Sequence, residues 1–259
     1  MAGDLRLWRD LRGLTQARVA LGRVGTGVPT AAHLAFQADH AAARDAVWSA
    51  LDVPALLEKA GAIGLTACRV ASEVPDRRAY LLRPDLGRRL RPEGRATLPE
   101  AAGCVVFVVA DGLCARGVQT QAMAVIAACL PSLAKAGFAV GPVVIAEQAR
   151  VAIGDEIGAA MRAAATVVLI GERPGLSVTD SLGAYLTWAP RPGRTDADRN
   201  CISNIRAAGL PPLAAAAKIF WLLAAARRLN ATGVMLKDEQ PDCSALSASQ
   251  DPVLTQETE

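Results

Sequence analysis

The sequence predicts an α/β fold, in which an open, mostly parallel sheet of the Rossmann or flavodoxin type is flanked by helices. Residues 104–110 and 166–170 are continuous apolar runs rich in β-branched side chains, a pattern typical of strands buried on both faces. Segments with helical character alternate with these runs, as they do in open α/β sheets. We therefore expect the sheet in the second part of the chain, after a helical and loop-rich N-terminal region.

The first hundred residues favour helices and irregular structure. Residues 5–12 are expected to form a short helix, and a glycine-rich loop at 20–30 leads to a second helix at 31–51. Thr30 is expected to cap this second helix, because its hydroxyl accepts hydrogen bonds from free amides of the first turn. A further loop-rich segment, 75–99, completes this part of the chain.

Four strands and three helices are expected after residue 100. The strands are predicted at 104–110, 138–146, 166–170 and 185–188, and the helices at 118–136, at 153–164 and from Pro211 or Pro212 to about Asn230. Gly137 follows the first of these helices and is expected to be its C-cap, because glycine readily adopts the left-handed conformation found there.

The composition is that of a globular protein. Hydrophobic residues make up 52% of the chain and charged residues 20%, which excludes a disordered chain. A net charge of +3 is small for this length and does not favour nucleic-acid binding. No apolar run reaches the roughly 18 residues that indicate a transmembrane helix. The six cysteines form no CxxC pair and no signal segment precedes them, so we expect free thiols in a reducing cytoplasm.

Three polar segments follow predicted strands and are candidates for ligand binding. They are residues 111–113, 147–151 and 171–175. Ligands of open α/β sheets bind outside the carboxyl ends of the strands, so the three segments are expected to lie along one edge. The longer stretch 171–206 combines glycines with Arg, Asp, Ser and Asn side chains, which suits a ligand with many donors and acceptors. The alternative is a loop whose polar groups bind only one another.

Motifs for acid–base, nucleophilic or metal chemistry are absent from the sequence. The two histidines, His33 and His40, are seven residues apart and share a face of a predicted helix, but no acid or cysteine has metal-ligand spacing with them. A structural role is favoured for both. The stretch 22–27 is glycine-rich but does not match GxGxxG, and no strand precedes it. A stand-alone nucleotide-binding oxidoreductase is therefore only the alternative hypothesis.

Several segments resemble the ethanolamine ammonia-lyase small (light) subunit family. One of them is Ile170-Gly171-Glu172-Arg173-Pro174-Gly175-Leu176. The others are residues 15–23, 83–90, 109–113, 149–158 and 193–205. The resemblance covers roughly residues 5–239.

The resemblance implies the small subunit of an adenosylcobalamin-dependent lyase. Such a subunit pairs with a TIM-barrel large subunit in a hetero-oligomer, and together they convert ethanolamine to acetaldehyde and ammonia by radical chemistry. The cofactor performs the difficult step, and the active site lies mainly in the large subunit, so no catalytic residue is expected in this chain. It also implies a partner-contacting region at 1–100, a cobalamin-contacting α/β domain at 101–236 and a polar tail at 237–259.

By motif, the resemblance implies three cobalamin-binding residues, Val151, Glu172 and Cys201. Val151 and Glu172 follow the second and third predicted strands, and thus lie at edges that fold geometry selects independently. A backbone or van der Waals contact is favoured for Cys201 over a thiolate–cobalt bond. The chain also lacks Asp-x-His-x-x-Gly, the motif that supplies a cobalt-ligating histidine in one group of cobalamin enzymes. The dimethylbenzimidazole of the corrinoid is therefore expected to stay coordinated.

Two points stay open at the level of the sequence. Some relatives carry an N-terminal extension linked to packaging in a bacterial microcompartment, and here only a few residues precede the first matching segment. Cytoplasmic location is expected, with encapsulation as a possibility that the large subunit could also direct. The remaining alternative function is a pure scaffold for the large subunit, without any contact to the cofactor.

Overall fold

The computed structural model describes residues 2–15 and 17–240. The described helices are α1 Ala2–Leu14, α2 Thr30–Trp48, α3 Val53–Ala62, α4 Arg77–Leu82, α5 Pro92–Thr97, α6 Ala115–Lys135, α7 Ile153–Met161 and α8 Pro212–Leu229. The strands are β1 Ala67–Ala71, β2 Val105–Ala110, β3 Val143–Glu147, β4 Ala165–Gly171, β5 Leu182–Trp188 and β6 Asn200–Ile205. The polar tail predicted at 237–259 lies largely outside the described residues.

The strands form a single mixed sheet in the order β1-β3-β2-β4-β5-β6. The strands β1, β3, β2 and β4 pair in parallel. The strand β5 is antiparallel to β4, and β6 is antiparallel to β5. The predicted α/β class with a mostly parallel sheet and flanking helices is thereby confirmed. Because β1, β3, β2 and β4 run in the same direction, their carboxyl ends meet at one edge of the sheet.

Helices cover both faces of the sheet. Alternate residues of β2 point to opposite sides, so that Phe107 packs in one core with α3, α6 and α8, whereas Val106 and Val108 pack in another with α7. Every residue of β2 is buried, which explains why its sequence is apolar throughout. Among the described helices, only α6 has the length and mean hydropathy of a membrane span. Half of its most apolar part is buried inside the protein.

Two strands were missed, and several predicted boundaries were wrong. The strands β1 and β6 lie at the two edges of the sheet and are partly exposed, so neither has the apolar run of a central strand. The strand predicted at 138–146 begins only at Val143, after Pro142, and the helix predicted at 31–51 ends at Trp48, where Ser49 is extended. Thr30, which was expected to cap this helix, is instead the first residue of α2. The N-cap position is taken by Pro29, which forms no side-chain cap hydrogen bond.

Candidate functional site

A cleft of about 480 Å³ lies at the carboxyl edge of the parallel strands. Its walls come from the loops after β2, β3 and β4, from α4 and from β5. The lining residues are Tyr80, Gly112, Leu113, Arg150, Val151, Ile170, Gly171, Glu172, Arg173 and Tyr185. The structure thus brings together the three polar segments that fold geometry selected from the sequence.

Two glycines let the loop after β2 approach the end of β4. The amide of Leu113 donates a hydrogen bond to the carbonyl of Gly171 over 3.0 Å. A Cβ on Gly112 would lie 2.3 Å from that same carbonyl oxygen, and a Cβ on Gly171 would lie 1.9 Å from the carbonyl oxygen of Cys114. Side chains are excluded at both positions, so the loop after β2 packs directly against the end of β4, and the two glycines contribute only backbone to the cleft lining.

Asp111 connects the loops after β2 and β3. Its buried carboxylate accepts hydrogen bonds from the backbone amides of Gly112 at 3.0 Å and of Gln148 and Ala149 at 2.9 Å, and Arg77 lies 3.5 Å away. Burial raises the pKa of Asp111 to about 6, although these hydrogen bonds and Arg77 act in the opposite direction. The carboxylate therefore positions Gln148 and Ala149 directly before the cleft residues Arg150 and Val151.

Two guanidinium groups pack against the ring of Tyr80. The guanidinium carbon of Arg77 is 4.4 Å from the ring centroid, and that of Arg150 is 4.1 Å away. The phenol donates to the carbonyl of Ala149 over 3.1 Å, and Nη2 of Arg150 donates to the carbonyl of Tyr80 over 3.1 Å. Burial raises the pKa of Tyr80 above its usual range, so the phenol stays protonated. The arrangement holds Arg150 in one orientation beside Val151.

Glu172 joins the end of β4 to the edge strand β6. Both of its carboxylate oxygens lie 3.2 Å from the backbone nitrogen of Asn204, which donates to them. The absence of a side chain at Gly183 leaves room for it, because a Cβ there would lie 3.3 Å from Oε1 of Glu172. The carboxylate is accordingly at the cleft wall and is only partly buried.

Cys201 does not line the cleft itself. It is exposed on β6 and is paired across the sheet with Tyr185, which does line the cleft. Its Sγ lies 3.4 Å from Oγ of Ser203. Burial, and next the hydrogen bond with Cys201, raise the pKa of the Tyr185 phenol above its usual range. Of the three predicted site residues, Val151 and Glu172 both line the cleft, and Cys201 lies beside it, opposite Tyr185 on the neighbouring strand.

A buried ion pair supports the strand that carries Cys201. Nη1 of Arg199 donates to Asp155 over 2.7 Å and to the Thr187 hydroxyl over 3.3 Å. The side chains of Arg199 and Asp155 are only 2% and 4% exposed. Burial raises the pKa of Asp155, and the hydrogen bond from Arg199 opposes that shift. The pair joins α7 to the residue directly before β6, and thereby sets the position of Cys201.

Sequence reasoning missed the two tyrosines of the chain, both of which line the cleft. Tyr185 lay in a strand that was predicted, and its alternation with Ala184 and Leu186 could have indicated which side it faces. Tyr80 lies in the segment predicted to be rich in loops, and only the path of the chain through α4 brings it to the cleft. The histidines His33 and His40 are exposed on α2, outside the residues that line the cleft.

The N-terminal region contacts the loop that follows β4. Nη2 of Arg18 donates to the carbonyl of Leu176 over 3.1 Å, and its Nη1 lies 3.5 Å from the Ser177 hydroxyl. The same guanidinium forms an ion pair with Asp39 of α2 and lies 5.8 Å from the ring centroid of Phe36. The segment from Glu172 to Ser181, which starts at the cleft, is thereby connected to residues near the N-terminus.

Comparison with known proteins gives a consistent result. The family model "Ethanolamine ammonia-lyase light chain" matches residues 6–237. The ethanolamine ammonia-lyase small subunit of Rhodopseudomonas palustris (strain BisA53) is 56% identical over 236 residues, covering 89% of this chain and 90% of the relative. Its counterpart from Bradyrhizobium diazoefficiens is 54% identical over 237 residues, with 90% and 91% coverage. The Azotobacter vinelandii small subunit is 50% identical over 238 residues, with 90% and 88% coverage.

Proposed function

The chain belongs to the ethanolamine ammonia-lyase light chain family, and we propose that it is the cobalamin-contacting small subunit of an adenosylcobalamin-dependent ethanolamine ammonia-lyase. The observation that supports this most directly is the cleft at the carboxyl edge of the sheet, in which Val151 and Glu172 meet. The complete enzyme converts ethanolamine to acetaldehyde and ammonia, and a TIM-barrel large subunit is its proposed partner.

The chemistry of the cleft fits a corrinoid. A corrin ring is a broad apolar disc with amide side chains around its rim, so it needs apolar contact on its face and directional hydrogen bonds at its edge. Leu113, Val151 and Ile170 supply apolar surface, and the carboxylate of Glu172 can accept hydrogen bonds from amide groups. The bare backbone at Gly112 and Gly171 permits close approach of a flat ligand.

The cleft is partly open to solvent, which fits a site that a second subunit completes. An open cleft of this size can cover only part of a molecule as large as cobalamin, so the rest of the cofactor must be enclosed by another chain. When bound, the cofactor supplies the radical that abstracts hydrogen from the substrate. The role of this chain is to bind and orient it.

Acid–base chemistry on the substrate is assigned to the large subunit. The titratable groups that line the cleft are two tyrosines, two arginines and Glu172. The pKa values of both tyrosines are raised, so neither phenol is a base near neutral pH, and a guanidinium group can donate hydrogen bonds but not accept them. The carboxylate of Glu172 is held by the Asn204 amide. This set lacks the paired acid and base that general acid–base catalysis requires.

The N-terminal helices offer a surface for the large subunit. On α1 the exposed apolar side chains include Trp8 and Leu14, and on α2 they include Leu34, Phe36 and Trp48. Large aromatic side chains are enriched at protein–protein contact sites relative to the rest of the surface. They support the proposal that the region 1–100 contacts the partner.

Reconstitution tests the proposed function. We expect the isolated chain to release no acetaldehyde from ethanolamine, and its mixture with the large subunit and adenosylcobalamin to do so. Glu172→Gln should weaken cobalamin binding by the complex about tenfold, because it removes the charge from one hydrogen-bond acceptor. Binding is measured by spectroscopic titration, and Glu100→Gln, an exposed carboxylate in a surface ion pair, is the matched control.

Three results would contradict the proposal. Activity of the large subunit alone that equals the activity of the mixture would remove any need for this chain. Unchanged cobalamin affinity in the Glu172→Gln complex, together with unchanged affinity in Glu172→Ala, would instead favour a pure scaffold. Binding of a nicotinamide cofactor by the isolated chain would support the oxidoreductase alternative.

A further inference from the structure

Two arginines line the cleft without a carboxylate partner among the described residues. Arg150 follows β3 and Arg173 follows β4, and neither forms an ion pair in the part of the chain that the structure describes. The only acidic lining residue is Glu172, whose oxygens accept from the Asn204 amide. The charged groups of the cleft are therefore positive on balance.

Arg150 is held in place before any ligand binds. Its backbone amide donates to the carbonyl of Gly87 over 2.7 Å, its Nη2 donates to the carbonyl of Tyr80, and its guanidinium lies against the Tyr80 ring. Its Nε is buried and has no hydrogen-bond partner among the described residues, because the guanidinium packs against the ring of Tyr80. Nη1 makes no hydrogen bond to a described residue. A fixed guanidinium loses little side-chain entropy when it binds an anion.

The two arginines come from loops that flank the loop after β2. In the sheet order, β2 separates β3 from β4, and Gly112 follows β2 at the cleft floor. Gly112 packs directly against β4, since a Cβ there would lie 2.3 Å from the carbonyl oxygen of Gly171, and without a side chain it contributes only backbone to the cleft lining. Arg150 and Arg173 thus come from the two loops that flank the loop of Gly112, and all three residues line the same cleft. Planar guanidinium groups are well suited to the tetrahedral oxygens of a phosphate.

We propose that Arg150 and Arg173 form a phosphate-binding subsite of the cleft, which takes the phosphodiester of the cobalamin nucleotide tail. This inference rests on the proposed function and adds to it an anchor for the tail, separate from the apolar contacts to the corrin. Arg150 is the preorganised contact, and the more exposed Arg173 closes over the phosphate from the loop after β4.

Comparison of cobalamin with cobinamide tests the subsite, because cobinamide has the corrin ring but lacks the nucleotide tail and its phosphodiester. In the two-subunit complex, Arg150→Gln and Arg173→Gln should each raise the dissociation constant for cobalamin roughly 10- to 100-fold. Neither substitution should change the dissociation constant for cobinamide. Spectroscopic titration measures both values, and Arg162→Gln, in an exposed ion pair with Glu100, is the matched control.

Inorganic phosphate provides the second arm. It should compete with cobalamin in the unsubstituted complex, and should not compete with cobinamide. Loss of competition in both arginine variants is expected. Arg150→Lys keeps the charge and should restore part of the cobalamin affinity. Arg173 is exposed, so its variant provides a test even if Arg150→Gln disturbs the packing around Tyr80.

Each other outcome overturns the inference in a distinct way. Equal losses for cobalamin and cobinamide would place the arginines at the corrin, and unchanged cobalamin affinity in both variants would exclude any contact. Phosphate binding that depends on both arginines, with no effect of either variant on cobalamin, would assign the subsite to free phosphate instead. If the unsubstituted complex binds neither corrinoid, the proposed function itself fails.

Discussion

At the scale of single residues, Asp111 shows how burial and hydrogen bonding compete in this protein. Three backbone amides and Arg77 favour its ionised form, yet burial is the larger effect and raises the pKa of Asp111 to about 6. The same carboxylate connects the loops after β2 and β3. Asp111 therefore holds the cleft loops in place, but burying its ionised carboxylate costs free energy, and that cost depends on pH.

The raised pKa predicts the sign of that dependence. Asp111 binds its proton more tightly in the folded state than at its ordinary value of 3.8, so its favourable contribution is complete below pH 3.8 and is lost as the pH rises through about 6. The loss is on the order of 2–3 kcal/mol. Asp111→Asn does not ionise and should lack this dependence. Urea unfolding of both proteins between pH 4 and 7 measures it.

The comparison is internally controlled, because every other carboxylate titrates in both proteins and cancels in the difference. Asp111→Asn should also lower the free energy of unfolding by a constant amount, since its amide nitrogen cannot accept the backbone hydrogen bonds that a carboxylate oxygen accepts. Two stability curves that stay parallel from pH 4 to pH 7 would show that the pKa of Asp111 is not raised.

At the scale of elements, the strands that could be predicted have apolar sequences, and the two that were missed do not. The strands β2 and β4 are buried along their whole length, so their sequences are apolar throughout. In β6 only Ile202 and Ile205 are buried, because the strand lies at the edge of the sheet. Its remaining residues are polar, and its place in the sheet depends on distant contacts such as that between Glu172 and Asn204. A local pattern cannot reveal such contacts.

The Arg199–Asp155 pair is expected to contribute strongly to the position of β6. Arg199→Met would leave the carboxylate of Asp155 buried without its partner, which should lower the free energy of unfolding by about 3–5 kcal/mol. Replacing both, by Arg199→Met with Asp155→Leu, should recover much of that loss, because no buried charge remains. A double-mutant cycle measured by urea unfolding checks this.

The exposed pair Arg162–Glu100 is the matched control for that cycle, since both of its side chains are largely solvent-accessible. Its substitution should change stability by less than about 1 kcal/mol. Equal effects of the buried and the exposed pair, or a double variant as unstable as Arg199→Met alone, would show that burial of the charge is not what makes Arg199 important.

At the scale of the whole molecule, the general location of the cleft was predictable, but part of its lining was not. The loops at 111–113, 147–151 and 171–175 meet because their strands are parallel, and that follows from the order of elements in the chain. Tyr80 reaches the cleft from α4, in a segment with no strand signal. Its place depends on contacts with Ala149 and Arg150 that are about 70 residues away in sequence and that appear only once the chain is folded.

The contact between the N-terminal region and the loop after β4 predicts a coupling across the molecule. Arg18→Ala removes the hydrogen bonds to Leu176 and Ser177 and the ion pair with Asp39. The loop should then open more often, because fewer contacts hold it, and amide hydrogen exchange at residues 176–181 should become faster. Exchange in β2 should not change. Mass spectrometry of the exchanged peptides measures both regions.

Arg44→Ala is the matched control for this prediction. Arg44 lies on α2 and, within residues 2–15 and 17–240, forms an ion pair only with the adjacent and equally exposed Asp45, so its removal should leave exchange at 176–181 unchanged. Since Arg173 belongs to the same loop, Arg18→Ala should also weaken cobalamin binding by the complex, while cobinamide binding stays the same. Faster exchange without this selective loss would separate loop stability from the phosphate subsite. Unchanged exchange would show that Arg18 does not hold the loop.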